Sequence, residues 1–194
     1  MPGVKDSERA TSMRADVPNE VTVSSTTIYR GKELHFKKAT VRLQSGRIYT
    51  REIVEHPGAV TLIPLIGDKV VLIRQFRLPA TKAIYELPAG TISEGEDSEA
   101  CAEREIVEET GYKAGKLKKI FQCYLAPGYS TELMHFYVAT DLELGSPHFD
   151  EDEVIRVYPT PLEDALAMVK KNEIMDAKTA VGLLFYDKFE RHLS

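Results

Sequence analysis

The sequence contains no tryptophan and only two cysteines among 194 residues. Cys101 and Cys123 have neither CxxC spacing nor a histidine cluster nearby, which argues against a zinc site or a disulfide framework. The longest apolar stretches, such as Val70–Ile73 and Val181–Phe185, are too short to cross a bilayer. The N-terminus lacks the apolar segment of a secretory signal. These absences predict a cytoplasmic protein without a membrane partner.

An excess of basic residues is also missing, because the formal net charge is −5. Proteins that hold nucleic acid by neutralising its phosphates need a basic surface, so no nucleic-acid partner is expected. A phosphorylated small molecule remains compatible with this charge if metal ions supply the positive charge. With 43% hydrophobic and 28% charged residues, the composition is that of an ordinary globular domain.

The first third of the chain has the pattern of β-strands. Met1 to about Glu20 lacks periodicity and is interpreted as a tail. Val21–Val54 alternates polar and apolar residues and is broken near positions 30–32 and 44–47, which predicts an antiparallel β-meander. Gly58–Leu65 and Lys69–Phe76 follow as a hairpin with a buried strand. We expect residues 21–56 to form a separate meander before a main domain at residues 57–194.

The main domain mixes strands and helices. A helix is predicted over Glu96–Thr110, because Gly111 stands where a left-handed cap is needed. This order indicates an α/β (α+β) layered domain. The other predicted elements are the strands Ala83–Leu87, Lys116–Leu125, Leu133–Ala139 and Val154–Tyr158 and the helices Pro161–Lys171 and Asp176–Phe189.

Three carboxylates share one face of the first predicted helix. Glu105, Glu108 and Glu109 stand at i, i+3 and i+4, where like charges destabilise a helix by roughly 0.2–0.5 kcal/mol per pair. Mg²⁺ bound to one or two of them would relieve this repulsion and leave room for water and phosphates. Arg104 could hold one of the carboxylates as an ion pair. A solvated acidic face is the alternative that the charge pattern leaves open.

The whole segment from Gly90 to Tyr112 resembles the Nudix box, Gly-x5-Glu-x7-Arg-Glu-U-x-Glu-Glu-x-Gly-U, in which U is a bulky apolar residue. Only Tyr112 departs, being aromatic where an aliphatic residue is usual. The resemblance implies a loop-helix-loop on an α/β/α sandwich with a mixed sheet. The matching positions are Gly90, Glu96, Arg104, Glu105, Ile106, Glu108, Glu109 and Gly111.

The resemblance also assigns roles to individual residues. Glu105 and Glu109 would be the principal metal ligands, joined by the main-chain carbonyl of Ala89. Glu108 would be a further ligand or a supporting base, and Arg104 would orient these carboxylates. The implied cofactor is Mg²⁺, with Mn²⁺ as the alternative. Within the box, Gly90 would let the backbone turn closely, and Glu96 would be structural.

Residues outside the box resemble the ADP-ribose pyrophosphatase subgroup. Pro127 lies sixteen residues after Gly111, a spacing that resembles this subgroup's mark, although Pro127-Gly128 would make a turn in any case. The implied reaction is hydrolysis of ADP-ribose to AMP and ribose 5-phosphate. Further similarity lies in residues 51–60, 74–77 and 176–180.

The same resemblance implies several substrate contacts. Arg51, Glu52 and Arg77 would meet the substrate, the arginines through phosphate or adenine; a surface strand pair is the alternative for the first two. Relatives stack an apolar side chain from the meander on the adenine, but Lys32 stands at that position. The stacking role would then pass to one of three neighbours: Tyr29, Leu34 or Phe36.

Two further acidic segments complete the predicted site. Residues 149–153 form an acidic loop that is either simply solvated or supplies the general base, for which Glu151 and Glu153 both match. Glu132, in the Pro127 loop, is a candidate for holding the terminal ribose.

The resemblance implies a homodimer in which the N-terminal strands complete the partner's site. Two alternatives to ADP-ribose hydrolysis remain. One is cleavage of another substrate, such as GDP-mannose, a different nucleoside diphosphate sugar or a dinucleotide polyphosphate. The other is a binding module that senses ADP-ribose without cleaving it, which the intact set Arg104, Glu105, Glu108 and Glu109 argues against.

Overall fold

A computed structural model describes residues 19–145 and 155–192. The chain divides into two compact units, one ending at Val54 and the other beginning at Glu55. The predicted tail lies outside the described residues except for its last two positions.

The first unit is a three-stranded sheet in the order β1-β2-β3, formed by β1 (Val21–Arg30), β2 (His35–Arg42) and β3 (Ile48–Glu55). Strands β1 and β2 pair antiparallel. The turn before β3 contains Gly46 at a φ of +80°, a conformation that glycine adopts without steric cost. The breaks predicted from the sequence are therefore confirmed.

The second unit contains a mixed sheet formed by β4 (Ala59–Ile66), β5 (Lys69–Arg77), β6 (Lys82–Glu86), β7 (Ala89–Thr91), β8 (Tyr112–Tyr124), β9 (Leu133–Leu144) and β10 (Arg156–Pro161). Strands β4 and β9 run parallel, whereas the pairs β10-β5, β4-β5, β4-β7, β5-β6 and β8-β9 are antiparallel. The main path of the sheet is β10-β5-β4-β9-β8, with β6 beside β5 and β7 beside β4.

The hairpin of β4 and β5 opens away from its turn. The two strands pair beside the turn, at Leu65 with Val70 and Ile66 with Lys69. Beyond that point β5 pairs with β6, and β4 pairs with β7. The chain crosses between the two halves at residues 87–88, so the short strand β7 lies at the opening. Sequence periodicity did not predict β7, because three residues are too few to show alternation.

Helices cover both faces of this sheet. The helices are α1 (Ser98–Thr110), α2 (Leu162–Lys170) and α3 (Ala177–Phe185), with a 3₁₀ turn at Leu78–Ala80 and a π-helical turn at Tyr186–Glu190. Within the described residues, no helix combines the length and apolar character that crossing a membrane requires.

Alternation along β4 divides the core between the two faces. Val60 and Leu62 pack with Ile106 of α1, whereas Ile63 packs with Leu183 of α3. All five side chains are fully buried, and burying an aliphatic side chain of this size stabilises the fold by about 1.5–3 kcal/mol. The predicted α/β/α sandwich with a mixed sheet is confirmed.

Helix α1 begins two residues later than predicted. Asp97 is its N-cap, and the Asp97 carboxylate accepts hydrogen bonds from the main-chain N–H groups of Glu99 and Ala100, at 3.0 and 2.9 Å. Glu96 therefore lies outside the helix, and its carboxylate bonds Ser93 and Arg104. The predicted end is confirmed, since Gly111 has a φ of +72° and its N–H bonds the carbonyl of Val107.

Candidate active site

Gly90 and Glu105 lie in direct contact. A Cβ atom added at Gly90 would stand 1.8 Å from Cδ of Glu105 and 1.9 Å from its Oε1. The carboxylate of Glu105 thus fills the space that any other residue at position 90 would need. We expected a close backbone turn at Gly90, but the residue lies in β7. Its requirement for glycine comes from the space that Glu105 occupies.

Glu109 contacts Ala89, the residue before Gly90 in β7. Its Oε2 accepts a hydrogen bond from the main-chain N–H of Ala89 at 2.7 Å. Glu105 is 8% exposed and Glu109 is 4% exposed, so both carboxylates are buried against the dipeptide Ala89-Gly90. Carboxylates are almost never buried without compensation, and two of them facing one segment of main chain are a potential ligand set for a cation.

Arg104 connects the acidic residues of α1. Its Nη1 lies 2.5 Å from Oε1 of Glu105 and 2.8 Å from Oε2 of Glu108. Its Nη2 donates to the carbonyl of Thr91 at 3.2 Å. Hydrogen bonds from Arg104 to Glu96 and the neighbouring carboxylates raise the pKa of Arg104 further above its ordinary value. The guanidinium therefore stays charged and fixes the orientation of these groups.

Glu96 forms a bidentate pair with Arg104. Both oxygens of Glu96 lie 3.0 Å from guanidinium nitrogens, and Oε2 also accepts the N–H of Ser93 at 2.9 Å. The hydrogen bond from Arg104, followed by that from Ser93, lowers the pKa of Glu96 to about 2. This arrangement ties the loop before α1 to the helix, in keeping with the structural role expected for Glu96.

The donor set fits a hard divalent cation. Glu105 and Glu109 present buried carboxylates to one segment of main chain, and Mg²⁺ characteristically takes one or two protein carboxylates. In the parts of the chain that are described, no three His, Cys, Asp or Glu side chains are arranged to hold a metal ion. A site made of two carboxylates and a main-chain carbonyl needs no third acidic side chain.

Cys101 packs against the main chain of β7 and is not one of the candidate metal ligands. Its Sγ is 3.6 Å from the carbonyl oxygen of Thr91, and the side chain is buried. Burial, reinforced by the charge of Glu105, raises the pKa of the Cys101 thiol to about 12. The thiol therefore stays protonated at neutral pH.

Arg77 approaches the same region from β5. Its Nε and Nη2 bond Oε1 and Oε2 of Glu86 at 2.7 and 2.9 Å. Lys178, at the start of α3, forms a second ion pair with Glu86. Arg77 was predicted from the sequence, but Glu86 and Lys178 were not. Residues 86 and 178 are far apart in the chain, so no local sequence pattern reveals their ion pair.

The predicted substrate residues Tyr29, Arg51 and Glu52 lie in the N-terminal sheet. Arg51 pairs with the carboxylate of Glu20, with Nε donating to Oε2 at 3.0 Å, and its guanidinium lies 5.8 Å from the centre of the Tyr49 ring. Tyr29, Leu34 and Phe36 are exposed. These side chains are accessible, and their contacts with substrate stay predictions.

Another predicted substrate residue, Glu132, belongs to a loop. Glu132 closes the loop after β8, where its N–H donates to Oγ of Ser130 at 3.1 Å. That loop contains the expected turn at Pro127, since the N–H groups of residues 129 and 130 bond the carbonyl of Ala126. Glu151 and Glu153 lie outside the described residues.

Comparison with known proteins agrees with this geometry. Residues 55–180 match the family model of the NUDIX domain. The chain is 40% identical over 169 residues to an ADP-ribose pyrophosphatase of Bacillus subtilis, and 35% identical over 169 residues to a methanol dehydrogenase activator of Bacillus methanolicus. Each alignment covers 86% of this chain and 91% of the relative.

A GDP-mannose pyrophosphatase of Citrobacter koseri is 38% identical over 146 residues, covering 70% of this chain and 76% of the relative. Among solved structures, one described as the crystal structure of an ADP compounds hydrolase superposes with a TM-score of 0.80. It is 22% identical in sequence, and the match covers 91% of this chain and 96% of that one. This last likeness concerns the fold alone.

The family model covers well over half of the chain, and its segment contains the buried carboxylates, Gly90 and Arg104. The chain therefore belongs to the Nudix family of hydrolases, which act with divalent metal ions.

Proposed function

We propose that this protein hydrolyses the diphosphate of ADP-ribose, with Mg²⁺, to AMP and ribose 5-phosphate. The observation that carries the proposal is the burial of the Glu105 and Glu109 carboxylates against Ala89-Gly90. The likeness to an ADP-ribose pyrophosphatase over 86% of the chain supports the choice of substrate. A protein that only binds ADP-ribose would have no use for these buried carboxylates.

Glu105, Glu109 and the carbonyl of Ala89 would hold the metal, and Mn²⁺ is the alternative to Mg²⁺. A bound divalent cation supplies charge neutralisation and activation of water at a diphosphate. Arg104 keeps Glu105 and Glu108 in place through the contacts at 2.5 and 2.8 Å. Of the three carboxylates on α1, Glu108 is half-buried and the other two are buried, so Glu108 would assist as a further ligand or as a base.

The other residues would bind substrate and move a proton. Arg77 presents its Nη1 on the side opposite Glu86, where it would meet a phosphate oxygen. Glu151 or Glu153 would remove the proton from the attacking water, general-base assistance that contributes about 10²–10⁴-fold. Glu132 would hold the terminal ribose. Arg51, Glu52 and Tyr29 would contact the nucleotide from the N-terminal sheet.

The proposal includes a homodimer in the cytoplasm. The N-terminal sheet exposes large apolar side chains that a partner would cover, among them Val21, Ile28, Tyr29, Phe36 and Ile48. Both cysteines are free thiols, as is usual in a reducing compartment. Light scattering coupled to size-exclusion chromatography measures the oligomeric state, and a monomer at micromolar concentration would overturn this part of the proposal.

A second candidate substrate is GDP-mannose. The likeness to a GDP-mannose pyrophosphatase covers 70% of the chain at 38% identity. Both substrates contain a diphosphate between a nucleoside and a sugar, so the metal site would serve either. The nucleotide base and the sugar would decide the preference.

The decisive experiment compares kcat/KM for ADP-ribose, GDP-mannose and diadenosine polyphosphates, with Mg²⁺ and with EDTA. The variant Glu109→Gln keeps the size of the side chain but removes a charged ligand. We expect its kcat to fall at least about 100-fold, since even residues behind metal ligands cost about 10–100-fold when lost. The matched control is Glu103→Gln, because Glu103 lies on the same helix but is exposed.

Each outcome has a definite meaning. Metal-dependent release of AMP mainly from ADP-ribose supports the proposal, provided that Glu103→Gln retains full activity. Preference for GDP-mannose keeps the metal site and transfers the function to the second candidate. Wild-type activity in Glu109→Gln would refute the metal assignment, and the absence of any cleavage would favour a binding module.

A further inference from the structure

The Arg77 guanidinium is held along one edge by a buried carboxylate. Nε and Nη2 of Arg77 contact the two oxygens of Glu86 at 2.7 and 2.9 Å. The Arg77 side chain is 39% exposed, whereas that of Glu86 is only 1% exposed. The guanidinium is planar, so the edge that carries Nη1 faces away from Glu86. A two-point contact of this kind fixes orientation as well as position.

Glu86 is held in turn by Lys178. Nζ of Lys178 forms an ion pair with Oε2 of Glu86, and the Lys178 side chain is only 8% exposed. Nζ also lies 3.0 Å from Oδ2 of Asp176. Two cations and two carboxylates therefore form a charge-balanced cluster, which we call the Glu86 cluster: Arg77, Glu86, Asp176 and Lys178.

The Glu86 cluster is anchored to the first turn of α3. Asp176 is the N-cap of α3, and its carboxylate accepts hydrogen bonds from N–H and Oγ1 of Thr179 at 3.0 and 2.5 Å. Oγ1 of Thr179 accepts the N–H of Leu87 at 2.7 Å. This last bond joins α3 to the residue directly after Glu86, at the end of β6.

The location of the cluster connects it with the candidate active site. Glu86 lies three residues before Ala89, whose N–H binds Glu109. The charge of Glu109 also contributes to raising the pKa of Arg77, after the hydrogen bond to Glu86 and the charge of Glu86. Arg77 is therefore within electrostatic range of a proposed metal ligand.

Stability alone is a weak explanation for the Glu86 cluster. Burial opposes the charge on Glu86, and the two cations must overcome that opposition before its pKa falls below the ordinary value. Replacing buried ion pairs by apolar residues of similar volume is often neutral or stabilising. An apolar pair at positions 86 and 178 would fill the space but could not orient a guanidinium.

We propose that Glu86 and Lys178 are positioning residues, which hold Arg77 so that its Nη1 edge meets the diphosphate of the substrate. Lys178 shares the Glu86 carboxylate and fixes the oxygen that bonds Nη2 of Arg77. This inference rests on the proposed function, because it assumes that Arg77 contacts the substrate.

The first test is Lys178→Met, which removes the charge and keeps the length of the side chain. We expect kcat/KM to fall about 10–100-fold, as for other residues that orient a contacting group. Lys178→Arg should recover most of the loss because it restores the cation. Lys171→Met is the matched control, since Lys171 is exposed at the end of α2, and it should behave as wild type.

The second test measures coupling between Lys178 and Arg77. In an Arg77→Ala background, Lys178→Met should cause no further loss of kcat/KM if Lys178 acts through Arg77. A residue that merely supports the fold would lower activity by the same factor in both backgrounds. Equal losses in the two backgrounds would overturn the proposal.

A third variant remains informative if Lys178→Met does not fold. Glu86→Leu combined with Lys178→Met removes both buried charges, and its melting temperature should stay within a few degrees of wild type. Its kcat/KM should nevertheless fall at least about tenfold. A folded double variant with wild-type activity would contradict the positioning role.

Failure of this inference is distinguishable from failure of the proposed function. If the wild-type protein cleaves none of the diphosphate substrates, the proposed function is wrong and the inference falls with it. If the wild-type protein cleaves GDP-mannose instead, the coupling is measured with GDP-mannose. If the wild-type protein is active and every Lys178 variant matches it, only the positioning role is refuted.

Discussion

Replacing Gly90 by alanine would introduce one methyl group into space that Glu105 already fills. The added Cβ would lie 1.8 Å from Cδ of Glu105, whereas carbon atoms in contact are separated by about 3.5–4.0 Å. One of the two must move by roughly 1.7–2.2 Å. Glu105 is buried and held by Arg104 at 2.5 Å, so the displacement would break that contact or shift strand β7.

The expected loss in the Gly90→Ala variant is large for activity and moderate for stability. A displacement of about 1 Å in an active site can cost about 100-fold in rate, so kcat/KM for ADP-ribose should fall at least that far. Overpacking in a filled core costs about 1–3 kcal/mol, which denaturant unfolding measures. The metal concentration for half-maximal activity should rise, because Glu105 would no longer hold its place.

Two further variants separate the clash from other effects of Gly90→Ala. Gly67→Ala is the opposite case, because Gly67 has a φ of +59°, which alanine rarely adopts, but no atom lies within 4 Å of the added Cβ. It should lose stability and keep its activity. In a Glu105→Ala background, Gly90→Ala should cost little further stability because its clashing partner is gone. Full activity in Gly90→Ala, or an undiminished stability cost in that background, would refute the reasoning.

Three other expected results concern Arg104, Glu96 and the two cysteines. Arg104→Lys keeps the charge but loses the planar fork, so kcat should fall about 10–100-fold at saturating substrate in steady-state assays. The pKa of Glu96 is lowered from 4.5 to about 2, so its ionised form stabilises the fold above about pH 4.5 and this contribution is lost as the pH falls toward 2. Melting temperatures of Glu96→Gln should therefore approach those of wild type with decreasing pH; a constant difference would contradict this origin. Alkylation at pH 8, followed by mass spectrometry, should modify the half-buried Cys123 well before Cys101, whose pKa is about 12; equal rates would contradict the burial of Cys101.

Local patterns in the sequence predicted most of the secondary structure. The β4–β5 hairpin and the end of α1 at Gly111 follow from alternation and from glycine placement, and both are confirmed. The start of α1 was placed at Glu96, two residues too early, because the sequence does not reveal that this carboxylate bonds Arg104. Asp97 then takes the capping role that its short side chain suits.

The candidate site was predictable where its residues are close in sequence. Glu105 and Glu109 are one helical turn apart, so their common face follows from helix geometry. The contact between Glu105 and Gly90 depends on how a helix packs against a strand, and the sequence gives only the presence of the glycine. Glu86 and Lys178 look like ordinary surface charges in sequence. Their pairing arises from tertiary packing, which local periodicity does not encode.

The parallel pairing of β4 with β9 has a consequence for the order of events during folding. It joins Ala59 to Met134, with helix α1 and several strands lying between them in the chain. Helical turns form within microseconds, but pairs that are distant in sequence form late because a long loop must first close. Ile106 of α1 packs in one cluster with Leu62 of β4 and Tyr137 of β9, so the support of this helix is complete only when that loop closes. Refolding protein should therefore regain helical circular dichroism first, and hydrolytic activity should return only when the distant strands have met.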